Sequence, residues 1–266
     1  MLTTLDLLKM KKDGNKITMV TAYDYPSAKQ VEAANADMIL VGDSLGMVVL
    51  GYDSTTKVTL EDMIHHTKAV KRGAPNTFIA VDMPFMTYHA SVEQSVNNAT
   101  MLFQKTDAHA VKIEGRTAHT LTLIERLTDG GIPVIGHLGL TPQHVHVLGG
   151  FRVQGRDEAT RQKIKEDAIA IAESGAVAIV LEGIPEDLGK EITEAIHVPT
   201  IGIGAGIHCD GQVLVYHDML KYGTDRFPKF VKNYGDFDTI GVEGIARYVE
   251  EVKNEQFPTK DHTYNA

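Results

Sequence analysis

The apolar residues of this chain fall into eight short runs, and segments with helical spacing of apolar positions separate most of them. These runs predict eight strands, at residues 17–22, 37–42, 77–81, 110–114, 133–137, 176–181, 199–203 and 211–216. Most runs are nearly continuous in apolar residues rather than alternating with polar ones. Such runs are typical of parallel strands that are covered on both faces.

Eight strand units in a chain of 266 residues predict an α/β fold, the (β/α)8 or TIM barrel, as a single domain over residues 1–266. A closing helix is predicted at residues 240–257, followed by a loose tail from Pro258 to Ala266. The alternative is a doubly wound open sheet. The glycines between Gly202 and Gly206 do not have the spacing of a dinucleotide fingerprint, and tight packing is the favoured explanation for them.

Polar residues stand at the ends of five of the predicted strands, namely Asp43, Asp82, Glu114, His137 and Glu182. In a (β/α)8 barrel the carboxyl ends of all strands meet at one rim, where active sites lie, so we expect these side chains to converge. Lys112 and Glu114 are two residues apart on one strand, and their side chains therefore point to the same face. An ion pair on a solvated strand face is the alternative for these two residues in isolation.

The overall charge excludes several classes of function. The net charge is −9 and the sequence contains no dense Lys/Arg block, which argues against nucleic acid and membrane surfaces as partners. Residues 1–16 lack the apolar core of a signal peptide, and no later run is long enough for a membrane helix, so we expect a cytoplasmic protein. The single cysteine, Cys209, is expected to be a small buried or half-buried residue rather than a nucleophile.

Three carboxylates at one barrel mouth favour a hard divalent cation, and Mg2+ commonly takes one or two protein carboxylates and leaves room for substrate. Asp43 and Asp82 are the candidate ligands, and Glu114 is expected to ligate directly or through water. A 2-oxo acid could chelate such an ion through its keto and carboxylate oxygens, with Lys112 adding positive charge near those oxygens. Zinc is the weaker candidate because the sequence offers no His/Cys set.

Deprotonation of a 2-oxo acid also requires a base that the metal does not occupy. Glu182, on the sixth strand, is the candidate base, although a strand-end glutamate can equally be a structural ion-pair partner. His137 could hydrogen-bond the substrate or tie the fifth strand to its loop.

Residues 140–156 have neither helical nor strand periodicity and are rich in glycine. This composition suits a mobile flap over a site, and a plain surface excursion is an equal alternative.

Seven stretches, in order along the chain, resemble the ketopantoate (3-methyl-2-oxobutanoate) hydroxymethyltransferase family. They are Thr21–Tyr25, Val41–Met47, Asp82–Phe85, Val111–Gly115, Gly136–Gln143, Leu181–Gly183, and Gly202–Gly206 with Cys209–Gln212. The resemblance implies transfer of a one-carbon unit from 5,10-methylenetetrahydrofolate to 3-methyl-2-oxobutanoate, which gives 2-dehydropantoate for pantothenate and coenzyme A synthesis. It also implies a large ring-shaped homo-oligomer, often a decamer.

For the site, the resemblance implies Mg2+ held by Asp43, Asp82 and Glu114. It implies that the keto acid contacts Asp43, Ser44, Asp82 and Lys112, with Glu182 as the proton acceptor. Met86-Thr87 departs from the small residues expected in the family and puts the shape of the pocket beside the third strand in doubt.

Two rival functions remain open at the level of sequence. The phosphoenolpyruvate mutase and isocitrate lyase group also uses a Mg2+-bound 2-oxo acid on a similar barrel, but its lyases rely on a loop cysteine, and Cys209 lies in the wrong unit for that role. The other rival is a catalytically silent barrel that serves in assembly or metal binding. A silent barrel would be expected to lack the base or a ligand, whereas this sequence has candidates for both.

Overall fold

A computed structural model of the chain describes residues 1–224 and 226–264. The chain forms two compact units, Met1–Val215 and Tyr216–Ala266. All eight strands found in the described residues belong to the first unit. The single-domain boundary at 1–266 stays a prediction.

The strands of the first unit are all parallel and close into a barrel in sequence order, with β8 paired to β1. Their bounds are β1 Ile17–Thr21, β2 Met38–Val41, β3 Phe78–Asp82, β4 Ala110–Glu114, β5 Val134–Gly139, β6 Ala178–Glu182, β7 Thr200–Ile203 and β8 Gly211–Leu214. The predicted (β/α)8 fold is therefore confirmed. The structure also meets the physical expectation from the apolar runs, since every residue of β2, β3 and β4 is buried.

Helices connect most of the strands. Their bounds are α1 Thr4–Asp13, α2 Tyr25–Ala33, α3 Leu45–Val48, α4 Leu60–Gly73, α5 Val92–Thr106, α6 Ala118–Asp129, α7 Val145–Leu148, α8 Glu158–Glu173, α9 Glu186–Ala195, α10 Tyr216–Leu220 and α11 Phe237–Lys253. Single 3-10 turns lie at Thr55–Lys57, Pro142–His144 and Lys260–His262. Helix α4 begins with a capping box, because the Thr59 side chain accepts from the Asp62 N–H and the Asp62 carboxylate accepts from the Thr59 N–H.

The helices approach each other closely where small residues permit it. Gly73, the last residue of α4, lies so close to α2 that a Cβ there would be 2.5 Å from the Tyr25 carbonyl oxygen. On the same helix Met63 and Val70 are fully buried. Contacts of this kind fix the helices against the barrel and thereby fix the strand ends that form the rim.

The last strand and the N-terminal segment differ from the prediction. The strand expected at 211–216 ends at Leu214, because its pairing with β1 stops at Val20 and its pairing with β7 stops at Gly202, so the chain turns into α10. No element was predicted for the N-terminal residues, whereas α1 forms there with a capping box between Thr3 and Asp6.

Residues 140–156 are mostly irregular, as predicted, but they contain the 3-10 turn Pro142–His144 and the short helix α7. Gly149 ends α7 in the left-handed conformation, with φ of 73°. The loop is therefore partly structured at the end that is nearest to β5.

The second unit contains α10, α11 and the last 3-10 turn. The helix expected at 240–257 runs from Phe237 to Lys253, with Asp236 as its N-cap. The tail expected from Pro258 contains the turn Lys260–His262, and its last two residues, Asn265 and Ala266, lie outside the described residues.

Candidate active site

The parallel strands bring the polar strand-end residues together at the carboxyl rim of the barrel. Asp43 follows β2, Asp82 ends β3, Lys112 and Glu114 lie in β4, His137 lies in β5 and Glu182 ends β6. The sheet register sets Asp82 beside Lys112 and Glu114 beside His137. Apart from Glu182, whose side chain is 15% exposed, these residues are buried.

Lys112 lies between two carboxylates. Its Nζ is 3.0 Å from Asp82 Oδ1 and 3.9 Å from Glu114 Oε1. Burial by itself lowers the pKa of Lys112, but Asp82, Glu114 and Asp43 outweigh it and raise the pKa above its ordinary value. The side chain is therefore an ammonium at neutral pH, and the strand-face ion pair considered from the sequence is a buried one.

Asp43 and Asp82 are joined through the backbone, because the Asp43 N–H donates to Asp82 Oδ2 at 3.0 Å. Burial, followed by the charges of Asp82 and Glu114, raises the pKa of Asp43 well above its usual range. Burial also raises the pKa of Asp82, against the opposing effect of Lys112. Both carboxylates therefore lie where additional positive charge would be favourable.

His137 connects β4 to β6 through its two ring nitrogens. Nδ1 is 3.3 Å from Glu114 Oε1, and Nε2 is 3.2 Å from Glu182 Oε2. Burial and Lys112 lower the pKa of His137, but Glu114 and Glu182 outweigh them and raise it to about 9. Nδ1 also lies 3.2 Å from Lys112 Nζ, so the His137 ring, the Lys112 ammonium and the Glu114 carboxylate are close to one another.

Ser44 begins the turn into α3, next to Asp43. Its Oγ is 2.8 Å from the hydroxyl of Tyr23, a fully buried residue. The space beside it is narrow, since a Cβ on Gly42 would be 2.9 Å from Ser44 Oγ and 3.5 Å from Asp82 Oδ2. Ser44 therefore lies beside the carboxylates, while its own hydroxyl bonds to Tyr23.

Gln143 and Tyr88 are two buried members of the site that were not predicted from the sequence. Gln143 lies in the 3-10 turn after β5, and its Nε2 donates to Asp43 Oδ2 at 2.9 Å. The Tyr88 hydroxyl donates to Gln143 Oε1 at 2.6 Å. The only sequence signal was that Gln143 ends one of the family-like stretches, without an assigned role.

Cys209 is fully buried, as expected. It precedes β8, so it lies at the end of the barrel opposite the acidic rim, where its carbonyl accepts from Lys16 Nζ. Burial raises the pKa of its thiol. Cys209 therefore takes no part in this site.

The residues present fit a divalent cation that is completed by other ligands. Across residues 1–224 and 226–264, no group of three or more His, Cys, Asp or Glu side chains is arranged to hold a metal ion by itself. Asp82 Oδ1 is buried and has no hydrogen bond of good geometry, although Lys112 Nζ is close. Glu114 is more fully engaged, because it contacts His137 and its Oε2 accepts from the Gln143 N–H at 3.0 Å. Two hard carboxylates, Asp43 and Asp82, are the number that Mg2+ commonly takes from a protein.

Solved structures with the same barrel span nearly the whole chain. A phosphonopyruvate hydrolase in complex with oxalate and Mg2+ has a TM-score of 0.61 at 12% identity and covers 100% of this chain and 92% of its own. A 2,3-dimethylmalate lyase of the phosphoenolpyruvate mutase/isocitrate lyase superfamily has a TM-score of 0.62 at 14% identity, with 98% and 92% covered. At these identities the likeness shows the fold alone.

Sequence relatives are more specific. A 3-methyl-2-oxobutanoate hydroxymethyltransferase of Bacillus cereus (strain G9842) is 58% identical over 264 residues, which cover 99% of this chain and 95% of the relative. A family model described as ketopantoate hydroxymethyltransferase matches residues 1–260. The chain therefore belongs to the ketopantoate hydroxymethyltransferase family, and it is an enzyme that transfers a hydroxymethyl group.

Proposed function

We propose that this enzyme transfers the one-carbon unit of 5,10-methylenetetrahydrofolate to 3-methyl-2-oxobutanoate and forms 2-dehydropantoate for pantothenate and coenzyme A synthesis. The observation that carries the proposal is the charge of the site. Four carboxylates, of Asp43, Asp82, Glu114 and Glu182, surround two cationic side chains, those of Lys112 and His137. The excess of negative charge in a buried site suits a divalent cation that binds together with a keto acid.

Asp43 and Asp82 are the residues that would hold Mg2+ directly. Glu114 would act through a water molecule, because His137 and the Gln143 N–H already contact its two oxygens. Mg2+, when bound, supplies positive charge to the oxygens of the keto acid and so makes the hydrogen on C3 more acidic. Oxalate, which the phosphonopyruvate hydrolase structure holds with Mg2+, has the same adjacent pair of oxygens as a 2-oxo acid.

The cationic side chains of the site orient the anionic substrate. Lys112 lies deepest, between Asp82 and Glu114, where its ammonium favours negative charge that develops on the keto oxygen. Ser44 and His137 flank this position and offer hydrogen bonds to the substrate carboxylate. These contacts would hold C3 toward the β6 side of the rim.

Glu182 is the proposed base. It ends β6, its carboxylate is partly open to solvent, and only His137 contacts it among the acidic and basic groups of the site. In the proposed reaction Glu182 takes the proton from C3, and the electron pair of the broken C–H bond forms the enolate. C3 then bonds to the methylene carbon of the folate as one of the two C–N bonds of that carbon breaks. Water replaces the second nitrogen and becomes the hydroxyl group, and the two released nitrogens of tetrahydrofolate take up the proton held by Glu182 and one proton of the water.

Glu182→Gln tests the base separately from binding. We expect the variant to bind keto acid in the presence of Mg2+ with unchanged affinity, but to lose exchange of the C3 hydrogen with deuterated solvent, measured by NMR. Glu186→Gln is the matched control, because the Glu186 side chain is 57% exposed and pairs with His208, away from the carboxylates of the rim. Exchange in Glu182→Gln at the rate of the control would assign the base to another residue.

A second assay tests the reaction itself. Conversion of 3-methyl-2-oxobutanoate should require 5,10-methylenetetrahydrofolate, should stop when a chelator is added and should return when Mg2+ is restored. Conversion that survives complete chelation would reject the metal-dependent reaction.

We infer a homodecamer in the cytoplasm, and the resemblance to this family supports that inference. In the second unit, α11 exposes Ile240, Val242 and Ile245 by 68%, 67% and 66%, which suits a helix that another protein surface covers. In the described residues no helix is long and apolar enough to span a membrane. Light scattering would give the mass of the assembly in solution, and Ile245→Lys should reduce that mass. A parent protein that is a monomer would contradict the inferred decamer.

A further inference from the structure

The carboxamide of Gln143 is wholly surrounded by groups of the proposed active site. Gln143 is 3% exposed and lies in the turn Pro142–His144, at the beginning of the loop 140–156. Its Nε2 donates to Asp43 Oδ2 at 2.9 Å and to the Met83 carbonyl at 3.0 Å. Its Oε1 accepts from the Tyr88 hydroxyl at 2.6 Å.

The pattern of donors and acceptors fixes the orientation of this carboxamide. Both N–H groups face acceptors, and the oxygen faces a hydroxyl donor, whose own oxygen accepts from the Glu114 N–H at 3.2 Å. A 180° flip of the amide would place its oxygen next to two acceptors, the Asp43 carboxylate and the Met83 carbonyl, which cannot donate to it. The Asp43 carboxylate therefore accepts from a donor whose orientation is fixed by the Met83 carbonyl and the Tyr88 hydroxyl.

The backbone of the same residue holds a second acidic group, because the Gln143 N–H donates to Glu114 Oε2 at 3.0 Å. One residue of the loop thus contacts the carboxylates that follow β2 and end β4, together with the chain that follows β3. The turn fits closely against β4, since a Cβ on Gly115 would be 3.3 Å from the His144 ring.

An amide is a suitable donor for this purpose because it is neutral. It orients the Asp43 carboxylate without cancelling its charge, whereas a Lys or Arg at the same place would compete with a bound cation. The Lys112 ammonium, by contrast, forms its ion pair with Asp82.

We propose that Gln143 is a positioning residue, which orients Asp43 and Glu114 for the divalent cation and makes cation binding depend on seating of the turn 142–144. This inference rests on the proposed function, since it assumes that Asp43 is a metal ligand. It adds a role for the loop 140–156, whose first turn is part of the support of the metal site.

The test compares Gln143→Met, which keeps the length of the side chain and removes its hydrogen bonds, with Thr106→Val. Thr106 is a buried residue at the end of α5 whose hydroxyl bonds to Leu102 and Ala108, so its loss should destabilise the protein without touching the site. The probe is Mn2+ alone, followed by titration calorimetry and electron paramagnetic resonance. Loss of such a supporting contact should weaken Mn2+ binding about 10- to 100-fold in Gln143→Met. Thr106→Val should bind Mn2+ like the parent protein, although its melting temperature should be similar to that of Gln143→Met.

The same variants separate this inference from the proposed function. Saturating Mn2+ should restore most of kcat in Gln143→Met, while the Mn2+ concentration for half-maximal activity stays raised. Equal Mn2+ affinity in Gln143→Met and Thr106→Val would overturn the inference, and a parent protein that binds no Mn2+ would overturn it together with the metal site. If Gln143→Met binds Mn2+ more weakly than Thr106→Val but the parent protein shows no folate-dependent turnover, the proposed function alone would be overturned.

Discussion

Replacement of Lys112 by Met removes the central ammonium of the site and keeps an unbranched side chain in the same space. In the parent protein its Nζ lies 3.0 Å from Asp82 Oδ1, with 4% of each side chain exposed. Removal of one partner from such a buried pair leaves an uncompensated charge and costs about 3–5 kcal/mol. Protonation of Asp82 limits this cost to about 4 kcal/mol, because its ordinary pKa lies roughly three units below neutral pH.

This loss is large enough to measure directly. For a chain of this size a loss of about 3–4 kcal/mol corresponds to a fall in melting temperature of about 6–16 °C. The assay is thermal and urea unfolding at neutral pH without divalent ions. Lys163→Met is the matched control, because the 68% exposed Lys163 side chain forms a 2.7 Å ion pair with Asp167. Asp167 is 10% exposed but keeps Arg116 at 3.6 Å as a second partner, so the loss should be no more than about 1 kcal/mol.

A double variant identifies the cause of the loss. Lys112→Met combined with Asp82→Asn removes both charges of the pair, so it should be more stable than Lys112→Met alone. The reasoning would be refuted if Lys112→Met lost no more stability than Lys163→Met, or if the second substitution brought no recovery.

Three further predictions concern separate residues. Asp82→Asn should weaken Mg2+-dependent binding of keto acid, measured by calorimetry with and without Mg2+; equal heats in the parent and the variant would contradict the assigned ligand. Met86 has φ of 62° and is 51% exposed, so Met86→Gly should be at least as stable as the parent, while the β-branched Met86→Val should lose about 1–2 kcal/mol in urea unfolding; the reverse order would contradict this. Burial and then Lys71 lower the pKa of His109 from 6.5 to about 4, so the unfolded chain binds more protons in that window and stability falls as pH decreases through it. His109→Asn should keep the bond from the Ile79 N–H and lose less stability between pH 6.5 and pH 4, and equal pH dependence in both proteins would refute the assignment.

The fold could be predicted because each strand is a nearly continuous apolar run and because the number of runs matches one barrel architecture. The end of β8 could not be predicted, since Val215 and Tyr216 continue the apolar run and only the loss of pairing with β1 and β7 stops the strand. Helix α1 was missed although Thr3 and Asp6 have capping-box spacing, because the apolar positions of the segment are few. Local patterns therefore located the elements, while their limits depended on neighbouring strands.

The site was predictable to the extent that topology determines it. Asp82, Lys112 and Glu114 were identified because barrel strands end at a common rim, and the sheet register confirms that they are neighbours. Gln143 was not predictable in the same way, because it follows β5 by a turn and reaches Asp43 with its side chain, across 100 residues of sequence. No periodicity in the loop 140–156 indicates which of its residues turns inward.

The two proposed ligands, Asp43 and Asp82, have different neighbours, and this difference determines which carboxylate would bind a cation more strongly. Asp82 has an ammonium at 3.0 Å, whereas the Asp43 carboxylate accepts from the neutral amide of Gln143. Burial raises the pKa of both groups, and Lys112 opposes the rise at both, but after burial the largest effect at Asp43 is the charge of Asp82, whereas at Asp82 it is the opposing charge of Lys112. Asp43 is therefore the carboxylate with more to gain from a divalent cation, and Asp43→Asn should weaken Mn2+ binding more than Asp82→Asn does. The opposite order would show that the Lys112 contact does not decide which carboxylate binds the ion.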